Sequence, residues 1–252
     1  MTYLATPSLK RAGLAMILVI LTGALGVCSA AAQCIEYGNY LHWVGRVQTP
    51  DKASGIVTSG HHAFVASADS GLVVLDISVP ENPVVVGGVA TTGEANNIAV
   101  SGDHLYLTGR YMGLLVVDIS DPAIPVVAGS VATDEENTGA VAVSGDYAYM
   151  FMGSTWFQVV DVSDPSDPQL AGSTTSAGQH TGVAISGSHA FVTSTNTLKS
   201  IDVSDPFNPQ LTGSITMWGG GETYDVDISG NWAYVAETYY GFHMIDISDP
   251  QN

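Results

Sequence analysis

The chain has 252 residues, of which 46% are hydrophobic, and its 24 acidic and 6 basic residues give a formal net charge of −18. A surface with this excess of carboxylates repels nucleic acid and anionic lipid, so both are excluded as partners. The length is sufficient for one domain with a full hydrophobic core.

The first 32 residues have the pattern of a secretory signal peptide. Lys10 and Arg11 precede the apolar run 12–27, and the small residues Ser29–Ala32 predict cleavage after Ala32. The apolar run is shorter than the roughly 20 residues that span a bilayer. We therefore expect a secreted protein, extracellular or periplasmic, with no membrane span after cleavage. Residues 33–40 are a linker with one cysteine, so no internal disulfide is expected.

From residue 41 to residue 252, two sequence markers recur in phase, with a period of about 42 residues. The first is Asp-Ile/Val-Ser, whose aspartates are spaced 41 to 44 residues apart, and the second is Ser-Gly. The aspartates are Asp76, Asp118, Asp161, Asp202 and Asp246, and the glycines are Gly60, Gly102, Gly145, Gly187 and Gly230. This period, with strand-like composition, predicts an all-β fold, a β-propeller of about five four-stranded blades.

Each repeat has the pattern of four short strands separated by turn residues. In the second repeat the strands are Ile98–Ser101, Leu105–Leu107, Leu114–Ile119 and Val126–Val131. β-Branched and aromatic residues bounded by Gly, Pro, Asp and Ser are typical of strands and turns. We predict that the repeat aspartates accept hydrogen bonds from the backbone amides that follow them, so we interpret them as structural.

The repeat resembles the LVIVD-repeat family over about residues 41–252. The resemblance lies in the pentapeptides LVVLD, LLVVD, FQVVD, LKSID and FHMID, which end at the five repeat aspartates, and in the flanking Ser-Gly and Asp-Pro-x-x-Pro segments. It implies a β-propeller in an exported, mostly bacterial protein. It implies no activity, because the family has no single established function.

The fourth strand of a blade is predicted four times, at Val84–Val89, Val126–Val131, Gln169–Thr174 and Gln210–Thr216. The segment Leu41–Val47 has the same pattern, and its Gly45 lies 42 residues before Gly87. We hypothesise that this N-terminal strand pairs with the fifth blade and closes the ring, which would remove exposed edges. The alternative is a fragment of a longer protein with further blades or a sorting domain.

Antiparallel order places the turns between second and third strands, and the crossings between blades, on one side of the propeller, the loop face. These segments vary most between repeats, and function on repeat scaffolds tends to lie in variable loops. Their aromatic, acidic and polar side chains suit a carbohydrate or a protein partner, although the rings alternatively only pack on the blade rim. The candidate ligand-binding residues are Arg110, Tyr111, Glu135, Trp156, His180, Trp218, Glu222, Tyr224, Glu237 and Tyr239.

Asp227 departs most from the repeat, because the other copies have Val57, Ala99, Ala142 and Ala184 at its position. Asp225 lies on the same side of the extended strand, and the pair is a candidate for calcium. The twelfth position of a calcium loop is Ala236, which lacks the required carboxylate. The alternative is a pair that faces the pore or bonds to the backbone, and no other cofactor is expected.

The sequence contains no HExxH, Gly-x-Ser-x-Gly or P-loop motif. We therefore expect a non-catalytic binding module of the cell surface or envelope, with a surface polysaccharide or a protein as its partner. Two alternatives stay open. One is a glycan-acting hydrolase or lyase that uses acidic residues of the loop face, drawn from Asp134, Glu135, Glu136, Glu222 and Glu237. The other is a purely structural or adhesion module.

Overall fold

The structure is a computed structural model that describes residues 44–132, 138–153, 155–176, 178, 180–217, 221–239 and 241–250. The chain divides into two compact units, Met1–Val44 and Gly45–Asn252. The repeats all lie in the second unit. The predicted signal peptide and linker lie outside the described residues, as do Glu135 and Trp218.

The described residues form nineteen β-strands, arranged as five blades in chain order. The first blade has β1 (Ala53–Ser59), β2 (His62–Ser67), β3 (Gly71–Asp76) and β4 (Val84–Val89). The second has β5 (Glu94–Ser101), β6 (His104–Arg110), β7 (Gly113–Asp118) and β8 (Val126–Val131). The third has β9 (Thr138–Ser144), β10 (Tyr147–Met152), β11 (Trp156–Asp161) and β12 (Gln169–Thr175). The fourth has β13 (His180–Ser186), β14 (His189–Ser194), β15 (Thr197–Asp202) and β16 (Gln210–Thr216). The fifth has β17 (Thr223–Ser229), β18 (Trp232–Glu237) and β19 (Gly241–Asp246).

Every strand pairs antiparallel with the next strand of its blade, which confirms the predicted β-propeller. The first four blades have four strands each, and the described part of the fifth has three. All four predicted outer strands are present, and only β12 is longer than predicted, by one residue. Among the described residues, no helix is long and apolar enough to cross a membrane.

The hydrophobic core lies in layers between neighbouring blades. Phe64 and Leu72 of the first blade pack with Leu105 and Leu107 of the second, and equivalent clusters join the second to the third blade and onward to the fifth. The side chains alternate along each strand, so one face of a blade meets the preceding blade and the other meets the next. This packing fixes the orientation of each blade and therefore of its loops.

The repeat aspartates close turns, as predicted. The backbone N–H of the serine two residues on donates to a carboxylate oxygen at 2.8–2.9 Å in all five copies. Hydrogen bonds from this serine lower the pKa of each aspartate. These turns lie at the ends of the third strands, on the face opposite the loop face, and they are structural.

Gly45 lies against Pro80 and Pro83, where an added Cβ would meet the carbonyl oxygen of Pro80. The corresponding outer-strand glycines contact the next blade in the same way, in the pairs Gly87–Pro122, Gly129–Pro165, Gly172–Pro206 and Gly213–Pro250. Residues 45–47 therefore occupy the place of an outer strand that precedes the first blade. They form no strand, and β19 has no outer partner among the described residues, so ring closure stays a prediction.

Candidate functional site

The loop face consists of the ends at which second strands meet third strands and inner strands begin. Its turns join β2 to β3, β6 to β7, β10 to β11, β14 to β15 and β18 to β19. Strand order places Arg110, Tyr111, Trp156, Glu222, Tyr224, Glu237 and Tyr239 on this face, together with the backbone of His180. The predicted candidates that are described thus share one face.

Hydrogen bonds between blades hold the loop face together. The N–H of Ala95 donates to the carbonyl of Ala68 at 2.9 Å, which links the second blade to the first. The Thr138 hydroxyl donates to the carbonyl of Gly109 at 2.6 Å and accepts from its N–H at 2.7 Å. In the fifth blade, the N–H of Thr223 donates to the carbonyl of Thr195 at 2.6 Å. Because the starts of β5, β9 and β17 are each bonded to the preceding blade, this part of the face is preorganised for binding.

Arg110, Tyr111 and Glu94 form one cluster on the second blade. The guanidinium carbon of Arg110 lies 4.9 Å from the centroid of the Tyr111 ring, within the range of a cation–π contact. Its nitrogen lies 4.0 Å from a carboxylate oxygen of Glu94, which is directly opposite Arg110 in the β5–β6 ladder. The cluster presents a ring, a cation and an anion to solvent.

A second cluster lies on the fifth blade, where Glu222 and Thr238 connect the crossing to the turn. The N–H of Glu222 donates to the Thr238 hydroxyl at 2.7 Å, and that hydroxyl donates to the carbonyl of Glu222 at 2.8 Å. The carboxylate of Glu222 carries none of these bonds and is exposed. Tyr224 and Tyr239 flank this contact, and both are exposed.

Glu237, a predicted ligand-binding residue, is buried. One of its carboxylate oxygens accepts from the N–H of Gly221 at 2.9 Å, and the other makes a short contact with Nε2 of His243. The side chain of Glu237 has no solvent exposure, so it holds the crossing at Gly221 in place. The sequence prediction missed His243. The β18–β19 hairpin register, in which Val235 faces His243, is the signal that would have placed it near Glu237.

Asp225 and Asp227 border a cavity of about 610 Å³ between the inner strands of all five blades. Each carboxylate accepts a hydrogen bond from the next backbone N–H, at 2.9 Å for Asp225 and 2.8 Å for Asp227. Partial removal of water by the surrounding strands, and then the charge of Asp227, raise the pKa of Asp225. Both residues are exposed to the cavity, which agrees with a pair that faces the pore and bonds to backbone.

The residues around this pair provide a limited set of ligands for a metal ion. In the described part of the chain, no three His, Cys, Asp or Glu side chains come close enough to hold one ion. A calcium ion prefers six to eight oxygen ligands. The pair would therefore need ligands from carbonyl groups or water, and calcium at this position remains a proposal.

The fold and the repeated turns define a β-propeller repeat protein. The chain belongs to the LVIVD-repeat family, whose model matches residues 50–91, 92–133, 137–176, 177–217 and 220–252. No curated protein matches the chain. Among solved structures, the chain is similar to the computationally designed Ika8 protein, with a TM-score of 0.56 at 12% identity, over 81% of this chain and 74% of that one. This similarity concerns the fold alone.

Proposed function

We propose that this protein is an exported, non-catalytic binding module of the cell surface or envelope, and that its loop face binds a surface polysaccharide or a protein partner. The exposed aromatic residues of that face carry the proposal. Tyr239 is 82% exposed, Tyr111 and Tyr224 are each 58% exposed, and Trp156 is 42% exposed. Aromatic side chains offer a large contact area and lose little conformational entropy on binding. Solvent-exposed aromatic rings are therefore typical of binding surfaces.

The rigidity of the face supports the same function. The exposed rings lie on strand ends and turns beside hydrogen bonds to the crossings or to the neighbouring blade, so little order has to be gained when a ligand binds. The basic pair and apolar run before Ala32 support export. The acidic composition favours neutral or cationic partners over anionic ones.

The position of Glu237 favours binding over glycan cleavage. A glycosidase needs two carboxyl groups on either side of the sugar bond, with access to substrate and water. Glu237 is enclosed and its carboxylate is bonded to Gly221 and His243, so it supports the loop from within. Glu222 is the exposed acid of this cluster.

The test uses purified residues 33–252 and a panel of plant and bacterial polysaccharides, with and without calcium, followed by thermal shift and isothermal titration calorimetry. A ligand that binds the native state must raise the melting temperature by mass action. The double variant Tyr224→Ser/Tyr239→Ser should abolish the shift. The control is Phe207→Ser, because Phe207 is an exposed ring on the opposite face.

The following results decide the proposal. Loss of the shift in the loop-face variant but not in the Phe207 variant supports binding at the loop face. Equal loss in both variants, or release of reducing ends from any polysaccharide, contradicts it. If no polysaccharide raises the melting temperature, the same variants are tested by affinity capture of partners from envelope extracts. Equal capture by the wild type and by the loop-face variant also contradicts the proposal.

A further inference from the structure

The backbone of Tyr111 adopts a conformation that a tyrosine rarely takes. Its φ is +60°, in the left-handed region that favours glycine. The same turn position has a positive φ in other blades as well, at Ala68 (+31°), Gly153 (+58°) and Thr195 (+52°). The turn of the repeat therefore imposes this conformation, and the second blade places an aromatic ring on it.

The neighbouring residues fix the turn and leave the Tyr111 ring exposed. Met112 is buried in the core between the first two blades. Gly93 lies so close to the carbonyl group of Arg110 that a Cβ would overlap it, so the preceding crossing packs directly on the turn. With both sides of the turn anchored, the backbone of Tyr111 is fixed and its ring projects into solvent, 58% exposed.

Arg110 and Glu94 supply the polar groups beside the ring. The guanidinium group lies at 4.9 Å from the ring centroid, and the Arg110–Glu94 ion pair is half-exposed on both sides. Arginine only donates hydrogen bonds and an ionised glutamate only accepts them. A hydroxyl group does both, so neighbouring hydroxyls of one sugar satisfy the two side chains together. The paired charges cancel and give no preference for an anionic ligand.

We propose that Tyr111, Arg110 and Glu94 form a subsite for a neutral polysaccharide, in which the apolar face of one sugar ring stacks on Tyr111 and its hydroxyls bond to Arg110 and Glu94. This inference rests on the proposed function of the loop face and names the ligand class. A protein partner fits this subsite less well, because protein hot spots lie in desolvated apolar pockets, whereas this ring is flanked by an exposed ion pair. Polyanionic glycans are disfavoured by the net charge of −18.

The experiment compares neutral glucan, galactan and xylan with anionic polygalacturonate, by calorimetry and affinity electrophoresis on residues 33–252. The key variant is Tyr111→Gly, which removes the ring and suits the left-handed φ. We expect its affinity for the neutral polymer to fall about tenfold or more, while its melting temperature stays equal or rises. Glu94→Gln and Arg110→Gln should each weaken binding without unfolding the protein. Phe207→Ser serves as the matched exposed-ring control, because Phe207 lies on the opposite face.

The outcomes separate this inference from the proposed function. Selective loss of neutral-glycan affinity in Tyr111→Gly, with retained stability, supports the subsite. Unchanged affinity in Tyr111→Gly together with loss in Tyr224→Ser/Tyr239→Ser overturns the subsite and leaves loop-face binding intact. Preference for polygalacturonate, or binding of a protein partner and of no neutral polymer, overturns the ligand class. A melting temperature that falls in Tyr111→Gly, with a matching fall in affinity, shows a merely structural role and also overturns it.

Discussion

At the scale of single residues, the fifth blade departs most from the repeat. Where the first and fourth blades have Ser67 and Ser194 at the end of the second strand, it has Glu237. The carboxyl group is buried and each of its oxygens has a hydrogen-bond partner, as burial of a polar group requires. Glu237 bonds to both His243 and Gly221, so it fixes the crossing that leads into Tyr224. One residue that departs from the repeat thus determines the geometry of this part of the loop face.

We expect Glu237→Gln to destabilise the protein by about 1–3 kcal/mol, because it replaces a carboxyl group that is bonded to Gly221 and to the partly buried His243 imidazole at a fully buried position. Urea unfolding followed by tryptophan fluorescence measures this change. Glu222→Gln is the matched control, since its carboxylate is exposed one residue from Gly221 and its loss should leave the unfolding midpoint unchanged. Equal midpoints for the two variants would show that the buried pair contributes nothing to stability.

Asp225 has the opposite effect on stability from a paired carboxylate. Its pKa is raised in the folded protein above the ordinary value of 3.8, so its charged form disfavours folding. We expect Asp225→Asn to raise the unfolding midpoint at pH 7. This gain should disappear below the ordinary pKa, where the carboxyl is protonated in both states.

Chemical unfolding at pH 7 and pH 3 checks this sign, with Asp103→Asn in an exposed turn as the control. A lower midpoint at pH 7 would show that the charge is used, for example by a bound cation. Addition of calcium or EDTA to the wild-type protein then decides between a cation site and a backbone role. A calcium-dependent rise in melting temperature that Asp225→Asn abolishes would support the calcium proposal.

At the scale of elements, the turn at the end of each third strand repeats one piece of chemistry five times. The serine N–H and hydroxyl stabilise the charged aspartate, which lowers its pKa below the ordinary value of 3.8. A depressed folded-state pKa contributes stability above about pH 4 that is lost as the pH falls through the folded-state values. The five turns therefore make the fold sensitive to acid.

We expect the unfolding midpoint to fall steadily from pH 5 to pH 2.5. Asp118→Asn should reduce the slope, because asparagine accepts the same backbone hydrogen bond without titrating. The measurement is the urea midpoint of wild type and variant at several pH values, and Glu81→Gln in an exposed turn is the control. An Asp118→Asn slope that equals the wild-type slope would assign the acid sensitivity to other groups.

The elements could be predicted from sequence because their signals are local. Valine-rich runs that end at Gly, Pro or Asp placed β4 and β8 to the residue, and the Asp-x-Ser pattern gave the turns. The site could be predicted only as a set of loops. The pairing of Arg110 with Glu94 and of Glu237 with His243 depends on strand register, which the repeat pattern leaves open. The left-handed φ of Tyr111 is indicated in the sequence only by Gly153 at the same turn position of the third repeat, because Ala68, Tyr111 and Thr195 adopt it without glycine.

At the scale of the whole molecule, two observations belong together. Residues 45–47 lie against Pro80 and Pro83 as an outer strand lies against the next blade, and β19 has no outer partner among the described residues. Phe242 and Met244 on β19 are exposed, whereas the equivalent Leu72 and Val74 are buried. Pairing of residues 45–47 with β19 would complete a fifth blade and link the two ends of the repeat array.

The register of the other blades specifies this pairing. In the first blade Val74 faces Gly87 and Leu72 faces Val89, so Met244 should face Gly45 and Phe242 should face Val47. We expect the double variant Val47→Cys/Phe242→Cys, in a Cys34→Ser background, to form a disulfide within one molecule under mild oxidation. Val47→Cys/Trp232→Cys is the control, because Trp232 lies at the far end of the neighbouring strand.

Non-reducing electrophoresis and peptide mass spectrometry identify the product. A cross-linked dimer would show that the strand pairs with a second copy, and free thiols in the double variant would contradict closure by this segment, because two cysteines held in cross-strand register oxidise readily.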